Sequence, residues 1–395
     1  MSGTRLHRAV IDFARLIFVP YMRIKYGYEF EKVDYRKGNF IALANHTTNF
    51  DSIILGLSFK QHMYFVAGEQ LFRMNWISQL LRTFLNPIKR MKAKTEAKTA
   101  VSMLRTLKAG HNICMFPEGS CTWNGETATI IQSTAKLIKR AGVAMITYRV
   151  EGGYPSMPRW SKSKRPGKMI GRIGNIYEPD VLEKMTVEEI YQAMCKDLYV
   201  NSIDMTEKYE YKGKTLAENL ETVLFVCPKC QGISTYTSKD DIFSCKCGVR
   251  LRYDTHCRLN DENNEGFPYT SVLEWDKWQR QWVIDNIERM KKNPDKVITE
   301  DDNQELFTYT EDEKTEHVLS GSMALYPDRF VFTDKVNKKE LVINLSDITD
   351  IAIITMTTLT FSCSDLHYEI KCKIPRSALK YLLIATGLSP MRYII

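Results

Sequence analysis

In the stretch ALANHTTNFDS, residues 42 to 52, His46 and Asp51 stand five positions apart among small polar side chains. A carboxylate hydrogen-bonded to one imidazole nitrogen selects the tautomer and leaves the other nitrogen free to take a proton from a hydroxyl. That is the base half of a catalytic triad without a serine of its own, so a substrate would supply the hydroxyl and attack an electrophile such as a thioester. Within a helix, residues five apart point about 140° away from each other. The pair therefore meets only if His46 lies in the turn before a helix that Asp51 begins. The neighbours allow this: apolar FIALA ends at Asn45, Thr47, Thr48 and Asn49 are helix-capping types, and FDSIILGL follows. Taken alone, the pair equally fits a capping histidine beside a first-turn acid.

A second stretch, CMFPEGSCTW at 114 to 123, ends an apolar run in Pro117, Glu118, Gly119 and Ser120, a sharp turn where a ligand can approach backbone amides. NHTTNFD followed about seventy residues later by FPEG resembles the glycerolipid acyltransferase superfamily, whose best-known members acylate 1-acylglycerol-3-phosphate. The resemblance covers roughly residues 30 to 180. It implies that His46 is the general base, that Asp51 orients it, and that Glu118, Gly119 and Ser120 help to position the acceptor. It also implies a basic residue for the acceptor phosphate, here Arg90 in NPIKRMKAK with Lys89 or Lys92 behind it; a guanidinium matches phosphate oxygens bidentately. The implied donor is an acyl thioester, acyl-CoA or acyl-carrier protein, and the implied acceptor a lysophospholipid. The chain departs from the family pattern twice. Ser120, Cys121 and Thr122 replace the usual Thr and Arg, and VAMITYRVEGGYP lacks the usual proline.

Ten cysteines in a chain whose N-terminal segment shows no signal-peptide pattern point to reduced thiols or metal. Cys227-Pro-Lys-Cys230 and Cys245-Lys-Cys247-Gly248, fourteen residues apart, have the spacing of a zinc ribbon, the second pair being one residue short of CxxC. Four thiolates complete a tetrahedral shell, so the expected Zn2+ is structural, with no open position. Lys229, Lys246, Arg250 and Arg252 would suit nucleic acid, but the interleaved aromatic platform for single strands is missing. Protein or domain docking is expected instead, and no nucleic acid. Cys114, Cys121, Cys195, Cys257, Cys363 and Cys372 read as buried thiols.

The elements that must position these groups form an alternation. From residue 38, strand-like NFIALAN, MYFVAG, PIKRMK, NICMFPEG and AMITYRVEG alternate with helical patterns near 51 to 58, 71 to 84, 95 to 109 and 130 to 140. The expected fold is an α/β acyltransferase domain, a mixed sheet flanked by helices, over 29–215. It is preceded by an amphipathic helix over 1–28 carrying Leu6, Val10, Phe13, Ile17 and Tyr21 and broken or kinked at Pro20. A zinc ribbon over 221–257, a helical linker over 268–298 with Leu273, Trp275, Trp278, Trp282, Ile284 and Ile287 as its apolar side, and an acidic connector (TEDDNQE, TEDEKTE) follow. Short strands closed by PRSALKYLLIATG complete the chain. Over 305–395 this pattern resembles a pleckstrin-homology or GRAM-like module, a fold that binds lipid headgroups or proteins.

At 44% hydrophobic and 26% charged the chain is of a folded type, and no apolar run approaches the ~18 residues of a membrane span. Residues 1 to 110 hold 18 Lys and Arg against 7 Asp and Glu, while the remainder is net acidic. A basic end suits anionic lipid or nucleic acid, and a helix with an apolar stripe beside arginines suits either a membrane interface or its own domain. With the family resemblance, the expectation is a cytoplasmic protein, peripheral on the inner face of a membrane with anionic phospholipids, with Trp160 and the basic residues of RWSKSKRPGK on the same surface.

Overall fold

The computed structural model describes residues 2–68, 87–90, 96–309, 315–364, 366–372, 374 and 376–389. They fall into two compact units, Met1–Arg159 with Lys164–Gly213, and Trp160–Ser163 with Lys214–Ile395. The helix expected near 71 to 84 and Lys92 lie outside the described residues.

The first unit is built on strands β1 (Tyr28–Phe30), β2 (Phe40–Ala44), β3 (Met63–Gly68), β4 (Ile88–Arg90), β5 (Asn112–Met115), β6 (Ala144–Glu151) and β7 (Met169–Tyr177), in the order β1-β7-β6-β2-β5-β3-β4. β6, β2, β5, β3 and β4 run parallel, whereas β7 is antiparallel to β6. β2 is apolar throughout because both of its faces are covered. Phe40, Ala42 and Ala44 join Met22, Tyr26, Ile54, Leu55 and Phe59, from helices α1 (Ser2–Tyr26) and α2 (Asp51–Ser58) and the residue after α2. Ile41 and Leu43 meet the opposite layer, where α3 (Glu96–Lys108), α4 (Ser133–Ala141) and α5 (Val187–Leu198) supply Met103, Leu107, Ile138, Ile190 and Met194. Each such side chain contributes about 1.5–3 kcal/mol by leaving water.

α1 runs through Pro20 as one helix rather than breaking there. Met22 and Tyr26 anchor it in the core, while Phe13, Leu16, Ile17, Tyr21 and Ile24 are exposed. Leu6 and Val10 lie outside the side chains described. Arg15 donates Nε (3.1 Å) and Nη2 (3.0 Å) to the Gly56 carbonyl and reaches Phe59 O, so it caps the C-terminus of α2. The segment expected to join the same surface departs from that reading, since Trp160 and Arg165 are fully buried.

The second unit begins with a four-stranded antiparallel sheet, β8 (Tyr236–Lys239), β9 (Ile242–Cys245), β10 (Arg250–Tyr253) and β11 (Leu259–Asp261), so the ribbon's sheet extends beyond residue 257. α6 (Val272–Lys291) starts at a capping box of Ser271 and Glu274. Expected as a linker, it is a core helix of this unit. Trp275 Nε1 donates to Val226 O (2.9 Å), and Gln279 accepts from Phe225 N (3.0 Å) and donates to Val223 O (2.7 Å). Ile284, placed on its apolar side by pattern, is exposed; the buried row is Leu273, Trp275, Gln279, Trp282, Val283 and Ile287.

Seven antiparallel strands and a helix follow: β12 (Thr299–Tyr309), β13 (Thr315–Leu325), β14 (Arg329–Asp334), β15 (Lys339–Asn344), β16 (Ile348–Ile353), β17 (Leu359–Cys363), β18 (Leu366–Cys372) and α7 (Ala378–Leu388), in the sheet order β15-β14-β13-β12-β18-β17-β16. TEDDNQE, expected as a connector, is the first half of β12. Its acids are admitted because most face outward while Gln304 and Leu306 point in. Asp301 is the partner of two α7 residues, Lys380 Nζ (2.8 Å) and Tyr381 OH (2.7 Å), and Lys380 also donates to Ser234 Oγ (2.7 Å). Burying a lysine is tolerable only with such pairing.

Candidate functional site

β2 and β5 are adjacent and parallel, so the loops leaving them, His46–Phe50 and Phe116–Trp123, open on the same edge of the sheet. The carboxyl edge of parallel strands is where α/β sheets place ligands. Here it brings together residues 76 positions apart, the Thr122 amide donating to His46 O at 2.9 Å.

Asp51 opens α2 and is fully buried. Its Oδ2 lies 2.8 Å from His46 Nδ1 and accepts the amides of Thr47 (2.6 Å) and Thr48 (2.9 Å); its Oδ1 accepts the Thr48 hydroxyl at 2.8 Å. The capping geometry thus differs from expectation. The N-terminal residue Phe50 makes no side-chain cap, and Asp51, the first helical residue, reaches back to the amides of the preceding turn. A carboxylate so supplied with donors is held rigid and orients the ring with Nδ1 toward Asp51. Gly153 lets the chain after β6 approach this turn, since a side chain there would run into Thr47 Oγ1.

Glu118 is buried, and both its oxygens are taken, Oε1 by the His46 amide (2.5 Å) and Oε2 by the Ala128 amide (2.6 Å). Burial pushes its pKa up to about 7 against the pull of those two amides. Its effect on an acceptor is therefore indirect, through the backbone that carries His46. Gly119 turns the chain with φ 73°, a conformation that favours glycine, and Ser120 is exposed. β4 sets Lys89 and Arg90 opposite Ala67 and Gly68, at the same carboxyl edge as His46 and Glu118. Three strand spacings separate β4 from β2, roughly 14 Å.

Three side chains of this site were given no part in it from sequence. Cys121, read there as a buried thiol, places Sγ 3.4 Å from both His46 ring nitrogens, and Phe116 stacks on the same imidazole at 4.3 Å. Arg159 donates to Ser120 Oγ (2.5 Å) and Cys121 O (3.3 Å) and lies 4.1 Å from the Trp123 ring centre. It brings a guanidinium to the turn where the family pattern would carry its own arginine. Burial lowers its pKa to about 10, which leaves it charged at neutral pH. No local pattern marks Arg159, because 38 residues separate it from Cys121. For His46, burial disfavours the charged ring, but Cys121 and then Asp51 outweigh it and raise the pKa to about 10.

In the second unit the sulfurs of Cys227, Cys230, Cys245 and Cys247 all lie within 4.8 Å of one another. Cys227 to Cys247 is 3.7 Å and Cys230 to Cys245 is 3.8 Å. A tetrahedron with bonds of about 2.3 Å has edges of about 3.8 Å, so the cluster fits a four-thiolate metal. Tyr236 OH donates to Cys227 Sγ (3.2 Å), and Thr235 Oγ1 lies 3.1 Å from Cys245 Sγ, as partners that orient ligands do. Gly248, at φ 101°, closes the shortened second pair.

Within the first unit, residues 27–151 match the family model described as Acyltransferase. Among solved structures, the chain is similar to the 1-acyl-sn-glycerophosphate (LPA) acyltransferase PlsC from Thermotoga maritima, at 18% identity and a TM-score of 0.42 over 51% of this chain and 80% of that one. It is also similar to the C-terminal domain of an unknown protein from Leishmania infantum, at 8% identity and a TM-score of 0.17 over 28% of this chain and 96% of that one. Compared with curated proteins, the chain has no match. No helix among the described residues is long and apolar enough to cross a membrane.

Proposed function

We propose that this protein is a membrane-peripheral O-acyltransferase that moves an acyl chain from acyl-CoA or acyl-carrier protein to the hydroxyl of a lysophospholipid, with 1-acylglycerol-3-phosphate as the leading acceptor. The observation that carries the reading is the His46–Asp51 pair, held at 2.8 Å by a turn whose Thr47 and Thr48 amides serve the carboxylate, inside the residues that match the acyltransferase family model. Deprotonated His46 takes the proton of the acceptor hydroxyl as that oxygen attacks the thioester carbonyl. Asp51 holds the ring and stabilises its charged form. Arg159, at the Ser120 turn, and Arg90, at the same sheet edge, are the cations suited to the acceptor phosphate. Lys89 stands beside Arg90 in β4, and Gly119 and Ser120 shape the turn after β5.

The exposed Phe13, Leu16, Ile17 and Ile24 on α1, with Arg23 and Lys25 in its last turn, suit an interface with anionic phospholipids on the cytoplasmic side. Zn2+ held by Cys227, Cys230, Cys245 and Cys247 would supply a cross-link that the small ribbon's own core lacks. The seven strands and closing helix of the C-terminal region support a pleckstrin-homology-like module for recruitment to lipid or protein.

Acyl transfer from labelled acyl thioester to 1-acylglycerol-3-phosphate in vesicles tests the reading. The native chain is expected to transfer, and His46→Ala to lose on the order of 10²–10⁴-fold. A native chain silent toward every lysolipid with both carriers would leave a binding scaffold instead.

A further inference from the structure

β6 and β7 carry two arginines that the acyl-transfer step does not use. Arg149 and Arg172 lie directly opposite each other in the antiparallel pairing of these strands, so both stand on one face of the sheet with Cβ atoms about 5 Å apart. Like charges so placed destabilise a sheet unless an anion answers them. Two carboxylates near this face are engaged elsewhere. Glu151 pairs with Arg172 at 3.7 Å, too long for a hydrogen bond, and Asp197 accepts from the hydroxyls of Thr147 (2.9 Å) and Tyr177 (2.9 Å). Arg149 Nε is sealed from water and has no hydrogen-bond partner among the described residues. A buried guanidinium nitrogen in that state points to an acceptor that comes from outside the chain.

Position indicates what that acceptor belongs to. β2 and β6 are parallel neighbours in a register that sets Ala44 beside Tyr148, so Arg149 comes level with Asn45, the residue before His46. Tyr148 and Val150 point into the layer of α1 and α2, against which Phe116 packs while stacking on the His46 ring. Arg149, between them, faces the other layer. The arginine pair is therefore at the same carboxyl edge as His46 but across the sheet from its imidazole. In 1-acylglycerol-3-phosphate the phosphate and the free hydroxyl are on adjacent carbons, too short a span to cross a sheet. A thioester donor carries its phosphate at the far end of a pantetheine arm, which can pass over the edge.

We propose, resting on the acyltransferase reading above, that Arg149 and Arg172 seat the phosphate group at the far end of the donor's pantetheine arm. Two adjacent guanidiniums offer forked donors to phosphate oxygens, and the bound phosphate removes their mutual repulsion. Arg172, half-exposed, leaves the seat open to solvent. Coenzyme A and acyl-carrier protein both bear this group, as part of a nucleotide in one and as a phosphodiester to protein in the other. Arg90 and Arg159 are left to the acceptor.

Calorimetric titration of the full chain with free coenzyme A, with holo acyl-carrier protein and with pantetheine, which lacks phosphate, tests the seat. Arg149→Gln and Arg172→Gln should each weaken at least one of the two phosphate-bearing ligands by about 10-fold or more and leave pantetheine where it was; the ligand that responds identifies the donor. In transfer assays the same variants should raise the KM for that donor by the same factor and leave the acceptor KM unmoved. Without ligand, Arg149→Gln should melt no lower than the native chain, because it relieves the like-charge neighbour, and the half-exposed Arg172→Gln carries the test if Arg149→Gln misfolds. Unaltered affinity for both ligands in the folded variants, or a loss that pantetheine shares, overturns the seat; the acyltransferase reading stands if the native chain transfers. A native chain that binds neither ligand and transfers from neither donor to any lysolipid overturns both.

Discussion

The His46–Asp51 turn and the four-cysteine cluster both gather ionisable side chains within hydrogen-bonding distance, but they hold them by different means. Asp51 is served by two backbone amides and two threonine hydroxyls, and Glu118 by two more amides, so the first site is organised by the chain's own donors. Around the sulfurs, the Tyr236 and Thr235 hydroxyls and several backbone amides of the same turns lie in reach, and the four thiols also face one another. One site is organised by donors gathered from two loops; the other gathers four sulfurs at the spacing a four-thiolate metal would need. The contrast teaches where each is fragile: the first to a change of a single acceptor, the second, with the proposed Zn2+ in place, to its removal.

The largest expected effect is removal of the proposed Zn2+. A strong chelator should release one Zn2+ per chain, expose four thiols and unfold the sheet of β8–β11, because structural zinc supplies on the order of 10 kcal/mol. Circular dichroism melts with and without chelator, alongside thiol titration, check this; an unchanged melt and no zinc release would break the comparison. Next is Asp51→Asn, which keeps the shape but offers an amide NH2 where two backbone amides donate. Activity should fall by about 10²–10⁴-fold, while the melt of the chelator-sensitive sheet stays put. The pH profile sharpens the point. Asp51 raises the His46 pKa, so removing its charge should move the rising limb of activity to lower pH, and an unmoved limb would deny the coupling.

Smallest is Glu118→Gln, where one amide loses its acceptor at a cost of about 1–3 kcal/mol in stability. Because burial raises the native carboxyl to about 7 from 4.5, this group's stabilisation is full below pH about 4.5 and is lost as pH rises through about 7. Denaturant melts of the variant should lose that slope. A variant with the native slope would place the titration elsewhere.

Much of the site was legible because its parts are local. His46 and Asp51 lie within one turn, and the cysteine pairs carry their own spacing. The strand and helix starts around them follow from short apolar runs and polar breaks, and α2 and α6 begin where the pattern predicts. Less legible were elements whose burial is decided elsewhere. The acids of TEDDNQE read as a connector, yet pairing with β13 and β18 makes them a strand. Ile284 reads as core and is exposed, while Gln279, a polar residue outside the expected apolar side, is buried against the backbone of Val223 and Phe225.

The sequence by itself determined the reactive residue types, the catalytic-type spacing, the metal-type spacing and the alternation that makes an α/β layer, because these depend on side-chain chemistry and on periods of a few residues. Only the tertiary structure decided that Glu118 clamps the His46 backbone, that Arg15 caps α2, that Arg159 reaches the Ser120 turn and that Cys121 lies against the imidazole. Those contacts join residues 38 to 75 positions apart, and their geometry is set by which strands lie side by side, a choice made by packing the whole sheet rather than by any segment of it.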